Sequence, residues 1–133
     1  MGTGERKQKS LALIRAREVA TNLAIPMVVL DSEGTIVFFN RSAEMLFGRP
    51  FEEAGELTSD EWETAFAPEE ADGTPISMRD LPAGVALTQQ RPHHRAIYYA
   101  DAEGVRREVE VTAFPLMGRE GELYGAVTIV WGR

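Results

Sequence analysis

The stretch 105–131 limits the fold more than any other part of this chain. Val109, Val111 and Ala113 alternate with Glu108, Glu110 and Thr112, the period-two pattern of a strand with one face in a core and the other in water. Turn signals bound it on both sides. Asp101-Ala102-Glu103-Gly104 separates it from a strand at 94–100, and the turn at 118–121 separates it from a final strand at 122–131. Strands joined by such short turns make an antiparallel meander. Simple register places Tyr98, Phe114, Ala126 and Val130 on the face opposite the valines. That outer face is too apolar to be left in water, so another element has to cover it.

The first half of the chain supplies that element and two more strands. Residues 5–24 read as an amphipathic helix with Ala12, Ala16, Val19 and Leu23 in one stripe and Leu13, Ala20 and Ala24 beside it. Pro26 stops the helix. Residues 27–30 and 35–39 are β-rich, and Asp31-Ser32-Glu33-Gly34 turns the chain between them. Asn40 then suits a helix N-cap, Ala43, Leu46 and Phe47 share a face, and Gly48 stands where a left-handed residue ends the helix. Further on, short helices are expected at 51–57 and Ser59–Phe66, the second capped by Ser59 or Asp60. After the loop Asp72-Gly73-Thr74-Pro75, Asp80 is expected to cap a helix with Pro82 in its first turn, ending near Gln90.

Composition narrows the function classes. A chain of 133 residues fits one domain, here 26–133, preceded by a helical segment at 1–25. It has no cysteine, which excludes disulfides, thiolate metal sites, cysteine nucleophiles and any sulfur-linked flavin or chromophore. A formal charge of −7 opposes nucleic-acid binding. Arg6, Lys7, Lys9, Arg15 and Arg17 do cluster, but with Glu5 and Glu18 among them they read as the solvated side of a dimerisation helix, not a membrane or nucleic-acid surface. No apolar run approaches the roughly 20 residues of a membrane span, and the start has neither a signal-peptide core nor a myristoylation pattern, which places the protein in the cytoplasm. The acidic run from Glu52 to Asp72 lacks Ca²⁺-loop spacing and reads as a solvated face. No nucleophile elbow, phosphate loop or zinc-helix motif occurs, and the paired carboxylates lie where nothing raises a pKa. The chain therefore reads as a non-enzyme.

Three segments together are similar to a PAS domain. PMVVLDSEGTIVFFNRSAEMLFG resembles its opening of two strands, a D-x-x-G turn and an Asn-capped helix. DGTPISMRDLPAGVALTQQRP resembles a D-G-x-P…P…A-L segment of bacterial members, and DAEGVRREVEVTAFPLMGREGELYGAVTIV resembles the closing meander. The resemblance implies an α+β fold: a five-stranded antiparallel sheet with small helices on its concave face, and the N-terminal amphipathic helix covering the outer face or a dimer mate. It also implies a pocket between sheet and helices, which in different members holds haem, flavin, a small metabolite, a fatty acid or nothing. Homodimerisation through a helix before the first strand is common in the family, and Ala12, Leu13, Ala16, Val19, Ala20 and Leu23 are the candidates for it. Members that drive a downstream effector usually close on Asp-Ile-Thr. Here the chain closes on VWGR with Gly132 in place of the Asp, so the output is expected through the N-terminal helix, the dimer or a separate effector protein.

The pocket or inner-core candidates are Val28, Leu30, Leu46, Leu87, Ile97, Tyr99, Val109, Val111, Ala113 and Val127. Nearly all are apolar, which favours a small apolar ligand over a charged metabolite. Trp62 and Phe66 share a helix face beside the pocket and read first as core, second as a stacking surface for a planar ligand. Of the two histidines, His93 faces inward by alternation with Ile97 and Tyr99. It reads as an ordinary strand start before it reads as a haem ligand. The function expected is a homodimeric, non-enzymatic sensor relaying through its N-terminal helix. The alternatives are a ligand-free interaction domain and a haem-type sensor.

Overall fold

The computed structural model describes residues 3–101 and 103–132, with side chains from Leu11 onward. Ala102 of the third turn and the side chains of Glu5, Arg6, Lys7 and Lys9 lie outside the described residues. The elements run α1 (Thr3–Thr21), β1 (Met27–Asp31), β2 (Ile36–Phe39), α2 (Arg41–Phe47), α3 (Phe51–Ala54), α4 (Ser59–Phe66), α5 (Pro82–Gln89), β3 (His93–Ala100), β4 (Arg106–Met117) and β5 (Leu123–Gly132). All five strands join one antiparallel sheet in the order β2-β1-β5-β4-β3. The first and last parts of the chain thus meet at its centre, where β1 lies along β5.

The local signals act through the atoms expected of them. Asn40 caps α2 by accepting from the Ala43 amide at 3.0 Å, and Gly48 ends that helix in the left-handed region at φ 74°. Asp31 and Asp101 close their turns through their carboxylates, Asp31 accepting from Glu33 and Thr35, Asp101 from Glu103 and Val105. Two helix starts differ from expectation. The N-cap of α4 is Thr58, not Ser59 or Asp60, because Thr58 and Glu61 form a reciprocal capping box. Asp80 does not cap α5: it lies in a 3-10 turn at Met78–Asp80, and α5 starts with Pro82 at its first turn and no side-chain cap on Leu81.

Helix α1 ends at Thr21, before Pro26 can end it. Thr21 Oγ1 donates back to the Arg17 carbonyl and Asn22 Nδ2 to the Glu18 carbonyl, both at 2.9 Å, side-chain bonds that compete with the backbone ladder where the helix ends. The helix packs in cis on the outer face of its own sheet. Ala16 and Ala20 are buried there with Leu13 beside them, over Met27, Val29 and Val127. The seated stripe is therefore 13, 16, 20. Val19 and Leu23, expected on the apolar stripe, are 55% and 38% exposed. Val19 lies about 100° around the helix from Ala20, and Leu23 follows the last helical residue.

The meander holds one reversal. Ala126 and Val130, expected on the outer face, are inside, and Val127, expected inside, is outside under α1. The cause is a register shift between Leu116 and Met117. Met117 pairs with Leu123, and unbroken register from there would oppose Phe114 to Ala126. The shift opposes Phe114 to Val127 and Val111 to Val130 instead. One added residue inverts the faces of a strand. Val109, Val111 and Ala113 face the core as the alternation requires.

Candidate functional site

The small helices close over the concave face of the sheet and leave a cavity of about 90 Å³. The sheet contributes Val28, Leu30, Ile36, Ile97, Tyr99, Val109, Val111, Thr128 and Val130 to its wall, and the helical side contributes Phe47, Trp62, Phe66, Pro68, Leu81, Pro82 and Ala83. Six of the ten residues expected around the pocket are on that wall: Val28, Leu30, Ile97, Tyr99, Val109 and Val111. Leu87 and Ala113 are buried in the same core behind the wall, and Leu46 packs at its edge. Val127 is across the sheet for the register reason just given.

The aromatic part of the wall is tied down by its polar tips. Trp62 Nε1 donates to the Gly34 carbonyl at 3.0 Å, which holds α4 to the β1–β2 turn. Tyr99 Oη donates to the Leu46 carbonyl at 2.5 Å, which holds β3 to α2. Between them Phe47 stacks on Phe66 at 4.8 Å and meets Tyr99 edge-on at 5.8 Å. Trp62 and Phe66 thus serve as core and as cavity wall together.

Burial pushes the Tyr99 phenol up to about 12, against a smaller opposing pull from Arg107. An unfolded tyrosine titrates near 10. The folded state therefore binds the proton more tightly, and this contribution to stability is whole below about pH 10 and is lost as pH rises toward 12. Tyr99→Phe is expected to cost about 1 kcal/mol at pH 8, since the Leu46 carbonyl loses its donor. The variant is also expected to flatten the loss of stability between about pH 10 and 12. Urea unfolding of both proteins across that range measures this.

The polar residues singled out in the sequence take other places. His93 stands on the inward side of β3 but off the cavity wall, with Nδ1 buried and unpartnered. His94 faces outward, hydrogen-bonded to Thr112 and Glu110 at 2.6 and 2.7 Å and stacked on Trp131. Part of the acidic run is structural. Glu69 pairs with Arg106, Glu70 with Arg95 at 3.0 Å, and Glu63 accepts from the Met78 amide at 2.7 Å. Among the described residues, no three His, Asp or Glu come together as a metal site, and no helix is long and apolar enough to cross a membrane. The wall residues missed in the sequence come mainly from the helical side, where Phe47, Trp62 and Phe66 gave a periodic signal and Pro68, Leu81, Pro82 and Ala83 gave none.

A family model described as the PAS fold matches residues 20–132. The chain belongs to the PAS family. No curated protein matches it. Among solved structures, it resembles a PAS domain from Colwellia psychrerythraea, with 18% identity, 96% of this chain and 95% of that one covered, and a TM-score of 0.62. It resembles the PAS domain of Bordetella pertussis BvgS with 18% identity, coverage of 91% and 84%, and a TM-score of 0.60. A Rhodobacter sphaeroides LOV protein aligns at a TM-score of 0.68 with 11% identity, over 94% of this chain and 67% of that one. These likenesses concern the fold. As a PAS domain the chain is a non-catalytic sensor module for signal transduction.

The cofactors known in the family do not fit this cavity. Flavin and haem need a pocket at or above the ~300 Å³ at which ordinary ligand sites begin, against about 90 Å³ here. His93 is not on the wall, and the absence of cysteine excludes a thiol adduct.

Proposed function

We propose that this PAS domain is a cytoplasmic homodimeric module that relays a change in core packing, brought about by a small apolar ligand or a protein partner, to α1. The observation that carries this reading is the double use of β1 and β5. Val28, Leu30, Thr128 and Val130 bound the cavity, while Met27, Val29, Val127 and Ile129 of the same strands meet the seat of α1. One layer of backbone separates the two. A guest or partner that favours one arrangement of these strands also favours one seating of the helix.

The occupant assigned to the free side of α1 is a second copy of the chain. Leu11 and Ile14 are 47% and 52% exposed there, and Val19 lies along one flank. Arg15 and Glu18 share that side and are exposed, giving it opposite charges that a two-fold contact sets against each other. Sedimentation equilibrium is expected to show a dimer at micromolar concentration, and Ile14→Glu a folded monomer that melts where the wild type melts once diluted to monomer. A wild-type monomer, or a dimer indifferent to that substitution, would rule out this interface. The closed-core alternative, an interaction module with no ligand, draws support from the cavity volume alone. In that case a protein partner provides the bias and α1 remains the output.

A further inference from the structure

Thr128 is the one feature of the cavity wall that an apolar core does not explain. It sits on β5 between Val28 and Ala113 of the neighbouring strands and is 8% exposed. Its Oγ1 is buried with no hydrogen-bond partner. Valine has nearly the same shape and would carry no such penalty, since a buried hydroxyl left unpaired is destabilising. Water is a poor partner here. A buried water needs two to four polar contacts. Trp62 Nε1 and Tyr99 Oη, the other side-chain polar groups of the wall, already donate their hydrogens to backbone carbonyls. A water beside Thr128 would find no further side-chain donor on the wall and an apolar surround.

We propose that the cavity takes a small neutral molecule with an apolar body and one hydroxyl or carbonyl group, a short alcohol or ketone, paired with Thr128. The size follows from the volume. A cavity of 150 Å³ holds the six carbons of benzene, so about 90 Å³ holds roughly four non-hydrogen atoms. Charge is excluded by the same wall, because no side chain on it is ionised at neutral pH. The Thr128 methyl, not its hydroxyl, meets the cavity, and a 120° turn about χ1 brings Oγ1 to the place of the methyl while the methyl takes that of Hβ, with the small Ala113 opposite on β4. In that rotamer the hydroxyl faces a guest. The proposal rests on the sensor reading, but it makes a claim about the cavity that does not depend on dimerisation or on α1.

The test is a titration of the full chain with acetone, with 2-propanol and with xenon, followed by the methyl resonances of Val28, Leu30 and Val130. Each is measured on the wild type, Thr128→Val and Thr128→Ser. The expected result is saturable shifts with all three probes in the wild type. Acetone and 2-propanol should bind about threefold to tenfold more weakly to Thr128→Val and near normally to Thr128→Ser, with xenon unaffected. Equal binding of the polar probes by wild type and Thr128→Val would overturn the role of the hydroxyl. Entry of xenon alone would show a purely apolar void, and entry of none a closed core. Both results overturn the proposal, and either leaves the dimer to be judged separately by sedimentation and the relay by the exchange of α1.

Discussion

Replacing Asn40 by alanine is expected to destabilise the domain by about 4 kcal/mol, or roughly 15 °C in melting temperature. This is the largest single-residue effect we expect outside the apolar core. Asn40 is 2% exposed and does more than cap α2. Its Oδ1 accepts from the amides of Ala43 and Met27, and its Nδ2 donates to the carbonyls of Ala20 and Ile25 at 2.8 and 2.9 Å. One side chain therefore joins the end of α1, the start of β1 and the start of α2. Loss of a cap alone costs about 1 kcal/mol. Each further buried group left without a partner adds about 1 kcal/mol or more. Asn40→Asp isolates the donor side: the carboxylate still accepts from Ala43 and Met27 but sets a buried negative oxygen against the carbonyls of Ala20 and Ile25. Denaturant unfolding at neutral pH is expected to place Asp no higher than Ala, with the hydrogen exchange of α1 accelerated in both.

Gly84→Ala is expected to destabilise by about 2 kcal/mol, against the ordinary preference of helices for alanine. Gly84 lies within α5, where alanine gains about 1 kcal/mol on propensity alone. A Cβ at this position would stand 1.8 Å from the Met78 carbonyl oxygen and 2.7 Å from its carbon. Both are backbone atoms of the turn that leads into α5, so no rotamer change relieves the contact. Because Leu81, Pro82 and Ala83 form part of the cavity wall, displacing α5 also opens the cavity. Thermal unfolding checks the sign, which propensity and packing predict oppositely.

Those two residues show how unevenly the fold was legible. As a cap, Asn40 was readable from its place before Ala43 and Leu46, but its bonds to Ala20 and Ile25 cross 20 and 15 residues and leave no local trace. The core face of β4 followed from alternation alone. The faces of β5 did not, because they depend on the one-residue shift at Leu116/Met117, and no pattern in the strands records it. The cap of α4 was legible in principle: Thr58 and Glu61 carry the capping-box spacing, and the neighbouring Ser59 and Asp60 masked it. The sheet side of the cavity was largely readable for the same reason as β4. Its helical side came from Leu81, Pro82 and Ala83 through tertiary packing that periodicity does not encode.

The coupling of cavity to helix across β1 and β5 is tested most directly by filling the cavity from the wall farthest from α1. Ala83→Val does this from α5, which has no part in the seat of α1. Amide hydrogen exchange of residues 13–20 is then compared with the wild type. Pressure on β1 and β5 from inside is expected to loosen the helix seat and speed exchange in α1 by about tenfold. Exchange changed only in α5 and β3, with α1 at its wild-type rate, would show that the sheet insulates the helix from the core and would contradict the relay.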